Sequence, residues 1–323
     1  MRINAFALAV ALAAAAAPAA LPAAAADAVI LGAVGSASTN LWPAYIGINK
    51  GFFAAEGVKV DLVFAQSNAA VHQQLAAGSV NFAINTGLVD PIRAIEKGAP
   101  AAIVRIELQG APYILMGRPT IRSMKELRGK TVSLGGAKDI TRIFVERMLA
   151  ADGVRPGEFD MVFAGATSAR FAALQSGAVD AAILAPPFSF RAEAAGYSNL
   201  GLTIDYVKDL PFAGTAVNRN WAGANRMLVE KVLAVYNKSI AWLYDPQNRT
   251  EAVRMMVEVS KMQAADVERS YDFLLTGKLL EPTGKVSRAK LSALVAALQE
   301  LGDLPPGFGI ERLILPGVTQ LSD

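Results

Sequence analysis

The sequence predicts an α/β protein of two similar lobes, each a mostly parallel sheet flanked by helices, with two hinge strands joining them. Two observations carry this. Strand-like and helix-like segments alternate from Val29 onward, a pattern that calls for a parallel sheet with helices on its faces. Most of the stretch from Gly35 to Gly98 also returns about a hundred residues later. Ala54-Ala55-Glu56-Gly57-Val58-Lys59 reappears as Ala150-Ala151-Asp152-Gly153-Val154-Arg155, and Asp61-Leu62-Val63-Phe64-Ala65 as Asp160-Met161-Val162-Phe163-Ala164. Leu75-Ala76-Ala77-Gly78-Ser79-Val80-Asn81-Phe82-Ala83-Ile84 matches Leu174-Gln175-Ser176-Gly177-Ala178-Val179-Asp180-Ala181-Ala182-Ile183. An interval this long is a domain-sized repeat and not a solenoid period.

In chain order, residues 29–34 form an aliphatic run that ends in the polar turn Gly35-Ser36-Ala37-Ser38-Thr39-Asn40, a strand and its exit loop. Residues 42–50 have helical spacing, with Pro43 in the first turn and Gly51 after the end. Residues 58–64 make the next strand, and Ser67 or Asn68 caps a helix running to Ala77. A strand over 80–84, its exit loop Asn85-Thr86-Gly87 and a helix over 88–97 follow. Further strands are expected at 101–105 and 113–116, the second leading out of the first lobe. Residues 131–134 open the second lobe, with Gly135-Gly136-Ala137-Lys138 in the place of Gly35-Ser36-Ala37-Ser38. Helix 139–151, strand 161–163, helix 169–175, strand 181–184 and the loop Ala185-Pro186-Pro187-Phe188 come next. A strand over 212–217 returns to the first lobe, and 221–301 reads as helical around that lobe, broken at Pro246 and Pro282. The expected division is a first lobe of 27–116 and 213–323, and a second of 117–212.

Residues 1–26 stand apart: Arg2 precedes an apolar, alanine-rich run ending in Ala24-Ala25-Ala26. Small residues at that end predict a secretory signal peptide cut before Asp27. A retained anchor is the competing reading, but Pro18, Pro22 and the weak hydrophobicity of alanine favour removal. The rest, in a chain of 323 residues that is 53% hydrophobic and 18% charged, has the composition of a globular protein. Cysteine is absent, which excludes disulfides, thiolate metal sites and a lipid-modified cysteine at the mature N-terminus. The exported product is therefore expected to be free in a periplasm-like space, as a monomer. The formal charge is +3 and its basic residues are scattered, so nucleic acid is not an expected partner.

Ligands of open α/β sheets sit at the carboxyl ends of strands, and two such lobes would face these ends across a cleft. The first lobe offers Ser38, Thr39, Asn40, Trp42, Asn68, Asn85 and Thr86 there. Helix capping explains Ser38, Thr39 or Asn68 singly, whereas the group as a whole fits ligand contact. The second lobe offers Gly136, Asp139, Thr141 and Arg142 at the start of a helix, with Pro186 and Phe188 in a later loop. Arg142 has two readings, a two-pronged anchor for a carboxylate or sulfonate and a plain surface residue. Trp42 and Phe188 fit either a stacking wall or the core. His72 is the lone histidine and nothing around it suggests a triad or a metal site. No G-x-G-x-x-G follows Val34 and no G-K-[ST] loop occurs, so no cofactor is expected. The sequence offers a pocket without a catalyst.

The segment Pro43-Ala44-Tyr45-Ile46-Gly47-Ile48-Asn49-Lys50-Gly51-Phe52-Phe53-Ala54-Ala55-Glu56-Gly57-Val58 resembles a signature of periplasmic solute-binding proteins of the nitrate, sulfonate, taurine and thiamine-precursor group. Leu75-Ala76-Ala77-Gly78-Ser79-Val80-Asn81-Phe82 is similar to a second motif of that group, with Asn81 where aspartate is usual. The run from Ile121 through Leu127-Arg128-Gly129-Lys130-Thr131 and the run Gly177-Ala178-Val179-Asp180-Ala181-Ala182 resemble two more. The similarity extends to about Leu243. It implies a type II periplasmic binding fold that closes on one small molecule and delivers it to an ABC permease. It also implies contacts from Ser38, Thr39, Trp42, Asn68, Asn85 and Thr86, with Gly136, Asp139, Thr141 and Arg142 opposite. The expected ligand is a small organic anion, sulfonate-like or carboxylate-like. A pyrimidine ligand, an enzyme on the same fold and a sensor that presents its ligand to a receptor are the alternatives. Export and the single histidine count against the enzyme.

Overall fold

The computed structural model describes residues 27–36 and 38–323; the expected signal peptide lies outside them. Ten strands build two five-stranded sheets. The first holds β1 (Asp27–Val34), β2 (Val58–Ala65), β3 (Phe82–Gly87), β4 (Ala101–Leu108) and β10 (Ala213–Asn218), in the order β2-β1-β3-β10-β4. The second holds β5 (Ile114–Gly117), β6 (Thr131–Leu134), β7 (Asp160–Phe163), β8 (Ala181–Leu184) and β9 (Ser198–Leu202), in the order β7-β6-β8-β5-β9. In each sheet three neighbouring strands run parallel and the fourth runs antiparallel. Those fourth strands, β10 and β5, are the ones that arrive from the other sheet.

This corrects one expected boundary. Ile114–Gly117 lies inside the second sheet, hydrogen-bonded to β8 and β9, so the chain crosses at 109–113 and not after Met116. Ala213–Asn218 returns to the first sheet between β3 and β4. With the expected breaks at Pro246 and Pro282 and a further one at 261–263, helices Arg226–Tyr244, Arg249–Ser260, Ala264–Thr276 and Arg288–Glu300 follow. The stretch between the last two is extended enough to bridge Leu280 to Leu108 of β4. Among the described residues no helix is long and apolar enough to cross a membrane.

The repeat has a physical basis in hydrogen bonding. Asn81 Oδ1 accepts from the Ile30 amide at 2.7 Å, and the Asn81 amide donates to the Ile30 carbonyl at 2.9 Å. Asp180 does the same to Thr131, with bonds of 3.0 and 2.8 Å. Either a carboxamide or a carboxylate supplies the acceptor oxygen, which is why asparagine serves where aspartate is usual. The turns before each of these residues place Gly78 at φ 77 and Gly177 at φ 76, a conformation that favours glycine.

The C-terminal helices are pinned to the first sheet by a buried polar network. Arg105 on β4 is 1% exposed and its Nε lies 3.3 Å from Glu107 Oε1. It also donates to the Glu281 carbonyl at 2.9 Å and to Asn237 Oδ1 on helix Arg226–Tyr244, while Thr215 of β10 donates to Glu107. Burial raises the Glu107 carboxyl to about 7, with Arg105 opposing the shift. Removing one member of such a pair strands its partner's charge away from water. Glu107→Ala is expected to lower the free energy of unfolding by about 3–5 kcal/mol in urea titration. The paired change Arg105→Met with Glu107→Leu should cost less than Glu107→Ala alone; a greater cost would contradict the account.

Candidate ligand cavity between the lobes

The carboxyl ends of β1, β3, β6 and β7 meet across a cavity of about 170 Å³. A cavity of about 150 Å³ can hold a molecule the size of benzene. Its walls come from the loops after those strands: Gly35, Ser36 and Ser38 after β1, Asn85 and Gly87 in β3, Gly135 after β6, and Gly165 after β7. Tyr113 and Phe212, on the two crossing segments, and Phe188 form its apolar side. Tyr113 and Phe212 pack edge to face at 4.9 Å.

The lobes touch around this cavity. Asn68 Nδ2 donates to Asp139 Oδ2 at 2.6 Å, Thr39 Oγ1 donates to the Pro186 carbonyl at 3.2 Å, and Arg93 donates to the Lys138 carbonyl. A Cβ on Gly165 would lie 2.5 Å from the Gln66 carbonyl oxygen. Only glycine allows that approach. Outside the cleft, Phe190 meets Phe273 edge on at 5.6 Å and Arg269 pairs with Glu193.

Arg170 is the cationic group on the wall. It sits in the first turn of helix Thr167–Gln175, is 3% exposed, and lines the cavity. One guanidinium nitrogen donates to Thr167 Oγ1 at 2.7 Å, and the guanidinium carbon lies 5.2 Å from the Tyr113 ring centre. Among the described residues, Nε and Nη1 have no hydrogen-bond partner and no carboxylate pairs with the side chain. The helix begins at Ala166, which has no side-chain cap, and Thr167 and Ser168 line the cavity beside it. Its free N–H groups and positive dipole end add to the field of the guanidinium. A buried cation and an open helix N-terminus on one wall favour an anion.

The sequence-expected residues divide into two groups. Ser38, Asn40, Asn68, Asp139 and Phe188 are on the wall, together with Asn85. Asn68 Nδ2 and Asp139 Oδ2 bond each other, and Asp139 Oδ1 caps helix Ile140–Ala151 by accepting from the Thr141 amide at 2.8 Å. Seven expected contacts lie off the wall. Thr39 and Pro186 are joined across the cleft, and Trp42 is buried in a stack with Tyr271 at 6.2 Å. Thr141 is engaged by Asp139 and by the Gly135 amide. Gly136 gives way to Gly135, where a Cβ would lie 2.8 Å from Asp139 Oδ1. Arg142 is exposed and pairs with Glu146 at 2.8 Å, because the rotation of its helix turns this position toward solvent. Thr86 faces the core, where its hydroxyl lies 2.9 Å from His72 Nε2.

Arg170 and Tyr113 escaped the sequence reading, although the repeat held the signal for the first. Ninety-nine residues separate the two matched segments that flank this position, so Arg170 stands where the first copy has Val71, and Ala166 where it has Ser67. Val71 is fully buried and Ser67 caps its helix, accepting from the Ala70 amide at 3.3 Å. An arginine replacing a core valine and an alanine replacing a cap mark the place where the second lobe departs from the plan.

Two α/β lobes with exchanged fourth strands, closed on a polar cavity, define the periplasmic-binding-protein fold. The chain belongs to the NMT1/THI5-like family, whose model matches residues 38–249. Its fold is similar to the alkanesulfonate-binding protein SsuA from Xanthomonas axonopodis pv. citri bound to MOPS, at 17% identity and TM-score 0.74, covering 93% of this chain and 100% of that one. It is also similar to the periplasmic nitrate-binding protein NrtA from Synechocystis PCC 6803, at 17% identity and TM-score 0.70, covering 87% and 83%. The desulfurization enzyme DSZB has the same fold, at 12% identity and TM-score 0.65, covering 90% and 97%. No curated protein sequence matches the chain.

His72 yields a pH prediction. Burial lowers its imidazole to about 3, below the usual 6.5 of an unfolded chain. Between those values the unfolded state takes up a proton and the folded state does not. Stability attributable to His72 is therefore present above pH 6.5 and lost as the pH falls toward 3, at up to about 1.4 kcal/mol per pH unit. The difference in urea stability between wild type and His72→Gln should fall in that direction over that window. A pH-independent difference would contradict a buried neutral imidazole.

Proposed function

We propose that this chain is the exported solute-binding component of an ABC importer and captures a small organic anion, sulfonate-like or carboxylate-like, between its two lobes. The observation that carries the reading is Arg170, a buried guanidinium on the cavity wall with two nitrogens unpartnered among the described residues. An anion would give it charge-assisted, parallel hydrogen bonds, which a neutral pyrimidine cannot match. The neighbours that bind an alkanesulfonate or nitrate support this ligand chemistry, and the apolar side made by Tyr113, Phe188 and Phe212 suits a short carbon chain.

Binding is favoured over catalysis on this fold. His72 is buried against Thr86 behind the wall. Asp139, the carboxylate on the wall, has both oxygens engaged. Capture then proceeds by hinge closure: the anion meets Arg170 and the open end of helix Thr167–Gln175, the crossing segments at 109–113 and 203–212 flex, and the Asn68–Asp139 and Thr39–Pro186 bonds close over it. Export by the N-terminal segment and delivery to a membrane permease complete the role.

Calorimetry of the chain from Asp27 onward with methanesulfonate, butanoate, nitrate and a neutral aminopyrimidine tests the reading. Anions should bind and the pyrimidine should not. Arg170→Gln should weaken the anions by about 1.5–3 kcal/mol, the scale of a hydrogen bond to a charged group, while Arg142→Gln leaves them unchanged. Equal affinity of wild type and Arg170→Gln for a bound anion would refute the assignment.

A further inference from the structure

The first-lobe wall of the cavity holds a second recognition point that an anion at Arg170 leaves unused. Asn85 is 8% exposed, lines the cavity, and neither its amide oxygen nor its amide nitrogen has a hydrogen-bond partner among the described residues. Asn40, 6% exposed and on the same wall, has an unpartnered Oδ1. Buried polar atoms are normally paired, and three such atoms on one wall of one cavity call for a common partner.

The backbone at Asn85 reinforces this. Its φ is 50°, a left-handed conformation uncommon for a residue other than glycine and tolerated by asparagine. Across from it the β3–β10 register slips: Gly214 faces Thr86 and Ala216 faces Ala83. Two residues of β3 thus oppose one of β10, a bulge at Ile84 and Asn85. Bulges beside binding sites re-aim a side chain, and the irregular residue here is the one with the unpartnered amide.

Resting on the anion reading of Arg170, we propose that Asn85 and Asn40 select ligands whose far end carries both a hydrogen-bond donor and an acceptor, such as a primary carboxamide or a ureido group. Two asparagine oxygens accept and one amide nitrogen donates. An ammonium end satisfies the oxygens and leaves the nitrogen unpaired, a ketone does the reverse, and an alkyl end leaves all three unpaired. Each mismatch leaves a buried polar atom without a partner, and sites built to hydrogen-bond a group reject analogues that lack it. The preferred ligand is a short-chain anion with an amide-like end. Its eight or so heavy atoms suit a cavity slightly larger than one that holds benzene.

The test is a matched carboxylate series measured by calorimetry on the chain from Asp27 onward: succinamate, 4-oxopentanoate, 4-aminobutanoate and pentanoate. Wild type should bind succinamate at least about tenfold more tightly than each of the others. Asn85→Gly, which keeps the left-handed backbone and removes the amide, should bring succinamate and pentanoate to within about twofold; Asn40→Ala, checked for folding by its melting transition, should narrow the same gap. Arg170→Gln should weaken all four alike. If wild type binds the four within about twofold while Arg170→Gln still weakens them, the amide inference is overturned and the anion reading stands. Retention of the succinamate preference in both asparagine variants also overturns it. If wild type binds none of the four, the amide inference is overturned; the anion reading falls with it only if methanesulfonate and nitrate do not bind either.

Discussion

The proposed site turns on Arg170, a guanidinium held away from water with no carboxylate paired to it among the described residues. A buried, unpaired charge is among the least favourable things a fold can carry, and the surroundings of Arg170 reduce that cost without removing it. The Tyr113 ring face and the Thr167 hydroxyl accept part of the charge. The uncapped helix end beside it has the opposite effect, adding positive field where positive charge already sits. Structural stability alone would not select such a wall. On the proposed function, an anion arriving from solvent would complete this wall, and the cost of burying the arginine would become affinity for the ligand.

The lobes share one plan and differ where they meet. Asn81 and Asp180 fasten the corresponding strands in the same way, so each sheet presents equivalent loops to the cleft. The differences fall at the contact surface. The first lobe caps its helix with Ser67 and packs Val71 behind it, while the second leaves Ala166 uncapped and turns Arg170 into the cavity. The first lobe contributes neutral amides and hydroxyls, and the second contributes charge. Gly165, which admits the Gln66 carbonyl, and the bond from Asn68 to Asp139 bring these two surfaces together.

The layered fold was legible because it follows from local pattern: alternating strands and helices, glycine turns in left-handed conformation and a doubled segment. Of the ten strands in the two five-stranded sheets, nine lie where aliphatic runs end in polar turns; the pattern hid Ser198–Leu202, its run broken by Gly201, and also the short pair Val286–Ser287 and Leu321–Ser322. The crossing point was misplaced because Ile114–Gly117 looks the same in either sheet; only its antiparallel partners β8 and β9, distant in sequence, decide. The site was half legible. Strand-end residues Ser38, Asn40, Asn68, Asn85, Asp139 and Phe188 reach the wall, since topology alone puts them there. Arg142 and Arg170 both occupy the first turn of a second-lobe helix, and composition cannot tell which faces inward. Rotation about the helix axis decides: Arg142 is exposed and reaches Glu146 on its own helix, whereas Arg170 follows the inward register of Val71.

The most direct test is a crystal structure of the chain from Asp27 onward grown with saturating methanesulfonate. The account predicts anion density in the cavity, with oxygens about 2.7–2.9 Å from Nε and Nη1 of Arg170, and the Asn68–Asp139 bond intact across the cleft. Anion density bound elsewhere, or a cavity in which Arg170 has turned away to pair with a protein carboxylate, would contradict it.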